Sequence, residues 1–144
     1  MATVNRNALV AQSATRMYNL VNDVASYPQF LPGCSATTVH QHNETMMLAS
    51  VEVSKAGIKH TFKTENKLNS HQSIEMSLIE GPFKHLKGEW KFTPLSENAC
   101  KVELNLDFEF SSKLVELAFG KIFNELANSM VTAFCERAKV IYGR

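Results

Sequence analysis

Hydrolytic, transfer and metal chemistry all need titratable side chains in convergent sets, so these residues are weighed first. His40 and His42 would point the same way on a strand, but two imidazoles with no cysteine or carboxylate at ligand spacing do not make a metal site. Cys34, Cys100 and Cys135 are widely separated, lack a neighbouring histidine motif and are odd in number, which suits reduced thiols better than a disulfide framework. No Gly-x-Ser-x-Gly elbow, phosphate loop or dinucleotide fingerprint occurs. Glu75, Glu89, Glu103, Asp107 and Glu109 all fall on the polar parity of alternating segments, so no carboxylate pair is directed into a dry interior for acid–base work. The expectation is a binding protein without catalytic residues, metal or catalytic cofactor. His60 stands apart, because its parity groups it with Ile58 and Phe62. There an imidazole serves either as hydrogen-bonded core or as the partner of a ligand's polar group.

Apolar side chains carry more information. Aromatics gather at Tyr27 and Phe30 in an early loop, Phe83 at a turn, Trp90 and Phe92 on one strand, and Phe119, Phe123 and Phe134 on a helix. Singly each reads as core; collectively they suit an apolar cavity. Phe30 and Leu31, held between Pro28 and Pro32, are expected at the surface, where the stiffened Tyr27–Pro32 segment would gate a ligand mouth or touch a membrane surface. Charge is unevenly placed although the chain sums to +1: seven lysines face four glutamates between Lys55 and Lys91, whereas six acids face two lysines between Glu103 and Glu136. A solvated strand face is the ordinary meaning of such lysines. A docking face for RNA phosphates, made by Lys59, Lys63, Lys87 and Lys91, is the sharper one.

The elements that must position these groups follow from period. With 144 residues, 44% of them apolar, the chain suits one domain over 1–144 with a real core. Asn5–Val10 reads as a strand and Ala14–Val24 as a short helix capped by Ser13. Ser26–Cys34, with two prolines, reads as one helical turn and a loop carrying exposed aromatics. Alternation then runs from Ser35 to Phe110, broken at His42-Asn43, Ala56-Gly57, Asn69-Ser70, Gly81-Pro82 and Ser96-Glu97-Asn98, which predicts a six-stranded antiparallel meander with one wet and one dry face. Ser112–Tyr142 lacks proline and carries Leu114, Ala118, Ile122, Leu126, Met130, Phe134, Ala138 and Ile141 at helical spacing, so one long amphipathic helix covers the dry face. The class is α+β, with function sought in the gap between sheet and helix. The start, MATVNRNALV, has neither the basic and apolar regions of a secretory signal nor the character of a transit peptide, and no apolar run is long enough to span a membrane.

Three stretches carry a resemblance: Val24-Ala25-Ser26-Tyr27-Pro28-Gln29-Phe30-Leu31-Pro32-Gly33-Cys34, Gly81-Pro82-Phe83-Lys84-His85-Leu86-Lys87-Gly88-Glu89-Trp90-Lys91-Phe92, and Ala133-Phe134-Cys135-Glu136-Arg137-Ala138 ahead of Tyr142-Gly143. Across its whole length the chain resembles the coenzyme Q-binding branch of the START-like (polyketide cyclase and lipid transport) superfamily, in the bacterial group of ribosome association toxins. The resemblance implies a helix-grip fold, a curved antiparallel sheet wrapped around a long C-terminal helix with two short helices after the first strand. It implies a tunnel for an isoprenoid quinone such as ubiquinone, or another apolar small molecule, in a protein that supports respiration without catalysis. The expected lining and mouth are Tyr27, Pro28, Phe30, Leu31, His60, Phe62, Trp90, Phe92, Phe119, Phe123, Leu126 and Met130. Its alternative implication is binding of the large ribosomal subunit, blocking subunit association and translation initiation. A cyclase-like enzyme is a distant third. The resemblance places the protein in the bacterial cytoplasm or at the periphery of the inner membrane.

Overall fold

In the computed structural model, residues 2–143 are described. The elements are β1 (Ala2–Val10), α1 (Ala14–Asn22), a 3-10 turn (Val24–Gln29), β2 (Cys34–His42), β3 (Met46–Lys55), β4 (Ile58–Asn69), β5 (Ser73–Glu80), β6 (Phe83–Ser96), β7 (Ala99–Phe110) and α2 (Lys113–Tyr142). β2 to β7 form the expected meander, and β1 pairs antiparallel with β7, giving the order β1-β7-β6-β5-β4-β3-β2. Each expected break is a turn. Ala56 and Gly57 both take positive φ in the two-residue link from Lys55 to Ile58, as a turn matching strand twist requires.

α2 touches β1 and β7 on one wing of the sheet and β3 and β4 on the other, so the sheet curls around it. Ser112 caps the helix by accepting from Val115 N, as Ser13 caps α1 by accepting from Arg16 N. Side-chain ties fasten α2 along its length. Glu125 accepts from Lys55 Nζ at 2.9 Å, Asn128 accepts from Arg6, and Arg137 donates to Gln29 at 2.9 Å while lying over the Phe30 ring.

Three expectations need correction. β1 starts at Ala2 rather than Asn5, because its whole length finds a partner in β7 from Phe108 to Cys100. The early aromatics are not displayed to solvent: Tyr27 and Leu31 are buried, Phe30 is half-buried against Phe134, and the Tyr27 hydroxyl donates to the Val21 carbonyl at the end of α1. The 3-10 turn, which accommodates Pro28, rolls these side chains inward. On α2 the buried face is Phe119, Phe123, Leu126, Ala127, Val131, Phe134 and Ala138, whereas Leu114 and Ala118 face solvent. A row of fourth residues drifts about 40° per step on a helix of 3.6 residues per turn, so it crosses the buried face obliquely, with its first two members outside that face and Leu126, Phe134 and Ala138 on it. Ile141 is half-exposed one residue before the helix ends.

Candidate functional site

The gap between sheet and helix holds a narrow apolar cavity of about 70 Å³. Its walls are Val24, Tyr27 and Leu31 from the turn region, Ala49 and Val51 from β3, Phe62, Thr64 and Asn66 from β4, Met76 from β5, Leu86 and Trp90 from β6, Leu106 from β7, and Phe123, Leu126, Ala127 and Met130 from α2. None is a carboxylate, histidine, lysine or cysteine, so the chamber offers shape and a little hydrogen bonding rather than proton transfer or nucleophilic attack.

Of the residues expected in a tunnel, Tyr27, Leu31, Phe62, Trp90, Phe123, Leu126 and Met130 meet around this cavity. The other five stand elsewhere. Pro28 is exposed on the 3-10 turn, and Phe30 sits between Phe134 and the Arg137 guanidinium. Phe92 is stacked beside Trp90 and meets Tyr18 of α1, so it belongs to the neighbouring core. Phe119 packs on Phe110, and the His60 ring lies 4.7 Å from the Phe119 ring near the start of β4, outside the lining. Parity chose the correct face for His60 but not the level along the strand at which the cavity opens.

Sequence reasoning misses Thr64 and Asn66 although they share the inward parity of Phe62 and Leu68; a polar residue inside such a row is the available signal. Both are more than nine-tenths buried, and the Thr64 hydroxyl donates to Asn66 Oδ1 at 2.9 Å. Val24, Ala49, Val51, Met76, Leu86, Leu106 and Ala127 were also missed, being indistinguishable in sequence from ordinary core.

Leu126 also walls a shallow outer groove with Pro32, Gly33, Ser54, Lys55, Ile122, Glu125 and Ser129, so the cavity and this groove share its side chain. The Lys55–Glu125 ion pair spans the groove from the β3–β4 turn to α2. The hydrogen bond and charge of Lys55 hold the Glu125 carboxyl below the usual carboxylate range. Pockets for small molecules typically measure roughly 300–1,000 Å³, so an occupant larger than a few waters requires the lining to move. Met76 and Met130, unbranched and adaptable, are the lining side chains best suited to repack.

The outer face is less one-sided than the lysine count suggests. Lys87 stands opposite Asp107, Lys91 stands opposite Glu103 and lies 3.8 Å from Glu89, and Lys63 stands opposite Glu80. β5, carrying Glu75, runs between the β4 and β6 lysines. Lys59, Lys63, Lys87 and Lys91 therefore form two separate groups within a mixed lattice rather than one cationic patch. Among the described residues no group of three or more His, Cys, Asp or Glu side chains could hold a metal ion, and no helix is long and apolar enough to cross a membrane.

Residues 10–135 match the family described as polyketide cyclase / dehydrase and lipid transport. The chain belongs to that family. It is 63% identical over 143 residues to the Vibrio cholerae protein named ribosome association toxin RatA, covering 99% of each chain. It is 30% identical over 136 residues to a Xenopus laevis protein named coenzyme Q-binding protein COQ10 homolog B, covering 92% of this chain and 56% of that one. Among solved structures, the Thermus thermophilus protein TTHA0849 superposes with a TM-score of 0.82 at 19% identity, covering 97% of this chain and 99% of the other, a likeness of fold. The curved seven-stranded sheet gripping a C-terminal helix is thus the family's START-like architecture.

Proposed function

We propose that this chain is a ribosome-directed, translation-inhibiting protein of the RatA kind, which binds the large ribosomal subunit and blocks its association with the small one. What carries this reading is where the similarity to the Vibrio cholerae protein must lie. Identity of 63% over 143 residues amounts to about 90 shared positions, whereas fewer than 40 residues are buried, so most shared positions lie on partly or fully exposed surface. Core packing alone does not require that. The apolar lining of the cavity supports binding over catalysis, and the order of preference drawn from sequence, quinone before ribosome, is reversed. The test is sedimentation of the purified chain with isolated subunits. It should pellet with the large and not the small subunit at low salt, and dissociate as salt rises if lysines contact phosphates. A chain left in the supernatant with both subunits would overturn the proposal.

A second reading rests on the cavity itself. Its almost wholly apolar walls, with the 30%-identical relative named for coenzyme Q binding, favour an isoprenoid quinone or similar apolar small molecule as ligand. Mass spectrometry of lipid extracted from protein purified from its own host tests it: a stoichiometric quinone is expected, and extracts with no apolar molecule above background would contradict it.

A further inference from the structure

Resting on the cavity reading, we infer that Thr64 and Asn66 are its specificity-determining pair, and that the ligand presents a carbonyl-type hydrogen-bond acceptor to the Asn66 amide. The register leaves these two side chains no other company. Thr64 is opposite Ala49 on β3 and Leu78 on β5, while Asn66 is opposite Met47 and Met76. Across the cavity stand Phe123, Leu126, Ala127 and Met130 of α2. Two other lining residues carry a polar side-chain atom: Tyr27, which uses its hydroxyl on the Val21 carbonyl, and Trp90, whose indole N–H can only donate.

Within the pair the donors and acceptors are unequally spent. The Thr64 hydroxyl donates to Asn66 Oδ1, which orients the amide and commits its oxygen. The amide nitrogen, with two N–H donors, makes no hydrogen bond to protein among the described residues, although Asn66 is only 7% exposed and lines the cavity. That nitrogen is not among the fully enclosed unpartnered side-chain atoms, so it borders the open space of the cavity, where an occupant can accept from it. An apolar residue here would fill the wall as Phe62 does on the same strand. Donors without acceptors therefore select for an oxygen with lone pairs, attached to an otherwise apolar body. A plain hydrocarbon would leave the amide unpaired, and sites with buried polar groups discriminate strongly against ligands that cannot satisfy them.

Two probes with one carbon skeleton isolate this contact: 2-decyl-1,4-benzoquinone and decylbenzene, titrated calorimetrically into the whole chain. Asn66→Leu should weaken the benzoquinone at least about 10-fold and leave decylbenzene unchanged or tighter. Thr64→Val, nearly the same shape, removes the hydroxyl that orients the amide and should shift the ratio the same way by a smaller factor, which keeps the test open if Asn66→Leu does not fold. Both variants leaving the probe ratio at its wild-type value would overturn the inference while sparing the cavity reading. Neither probe binding wild-type protein would overturn both.

Discussion

Tyr27 shows how one residue serves fold and site together. Its ring walls the cavity and meets Phe134 edge-on at 5.2 Å, while its hydroxyl satisfies the Val21 carbonyl, one of the acceptors a helix leaves unpaired at its end. Burial pushes the phenol well above its ordinary range, so it remains a donor. Tyr27→Phe keeps the ring and orphans the carbonyl; a loss of about 1–2 kcal/mol in chemical denaturation is expected, with cavity binding retained. The thiols give a second residue-level test. Burial is the main reason that Cys34 and Cys100 are each pushed up to about 11. A raised folded-state value means the unfolded chain releases these protons first, so their contribution is fully present below about pH 8.5 and is lost as pH rises through about 11. Denaturation midpoints should therefore fall between about pH 8 and 10.5, and replacing Cys34 and Cys100 with alanine should flatten that slope. An equal slope in the replaced protein would assign it to other groups, first among them Cys135, whose thiol burial also pushes up.

Among the elements, β6 and β7 set the cavity's width. Gly88 lies where a Cβ would meet Leu106 Cδ2 at 2.2 Å, Asn105 O at 3.0 Å and Met76 Cε at 3.1 Å, so its missing side chain lets two cavity walls lean inward. Gly88→Ala should cost ~1–3 kcal/mol by overpacking and should displace Met76 and Leu106, weakening any cavity ligand. A variant with wild-type melting temperature would show that this contact is slack. The meander strands, their turns and the Ser13 cap were legible in sequence because alternation, turn residues and capping serines are local signals, whereas the pairing of β1 with β7 is not local. The rotation of α2 was less so, since apolar residues such as Leu114, Leu117 and Val140 remain exposed and blur the stripe. The inward roll of Tyr27 and Leu31 was hidden for a related reason: prolines signal a turn but not the direction in which its side chains point.

For the whole molecule, cavity membership depended on where sheet and helix part company, which no single-strand pattern encodes. That is why Phe123 and Leu126 were found while Thr64 and Asn66 were passed over, and why Phe92 and Phe119, equally aromatic, belong to adjoining core. Outer-face electrostatics likewise depended on register. Lys87 and Lys91 each face an acid on β7 and Lys63 faces Glu80, whereas Lys59 stands opposite Ser54, so Lys59 makes the β4 pair the better candidate for contacts to phosphate. Lys59→Glu with Lys63→Glu should weaken large-subunit binding and flatten its salt dependence more than reversal of Lys87 and Lys91, with ligand content unchanged because these side chains lie on the outer parity. Equal effects from the two pairs would remove the distinction.

The most direct measurement is the distribution of ribosomal subunits on sucrose gradients after purified chain is added to dissociated subunits under conditions that otherwise let them associate. Ribosome-directed inhibition requires the free-subunit peaks to persist and the joined peak to shrink in proportion to added protein, with the chain found in the large-subunit fractions. A full joined peak at saturating protein would contradict it.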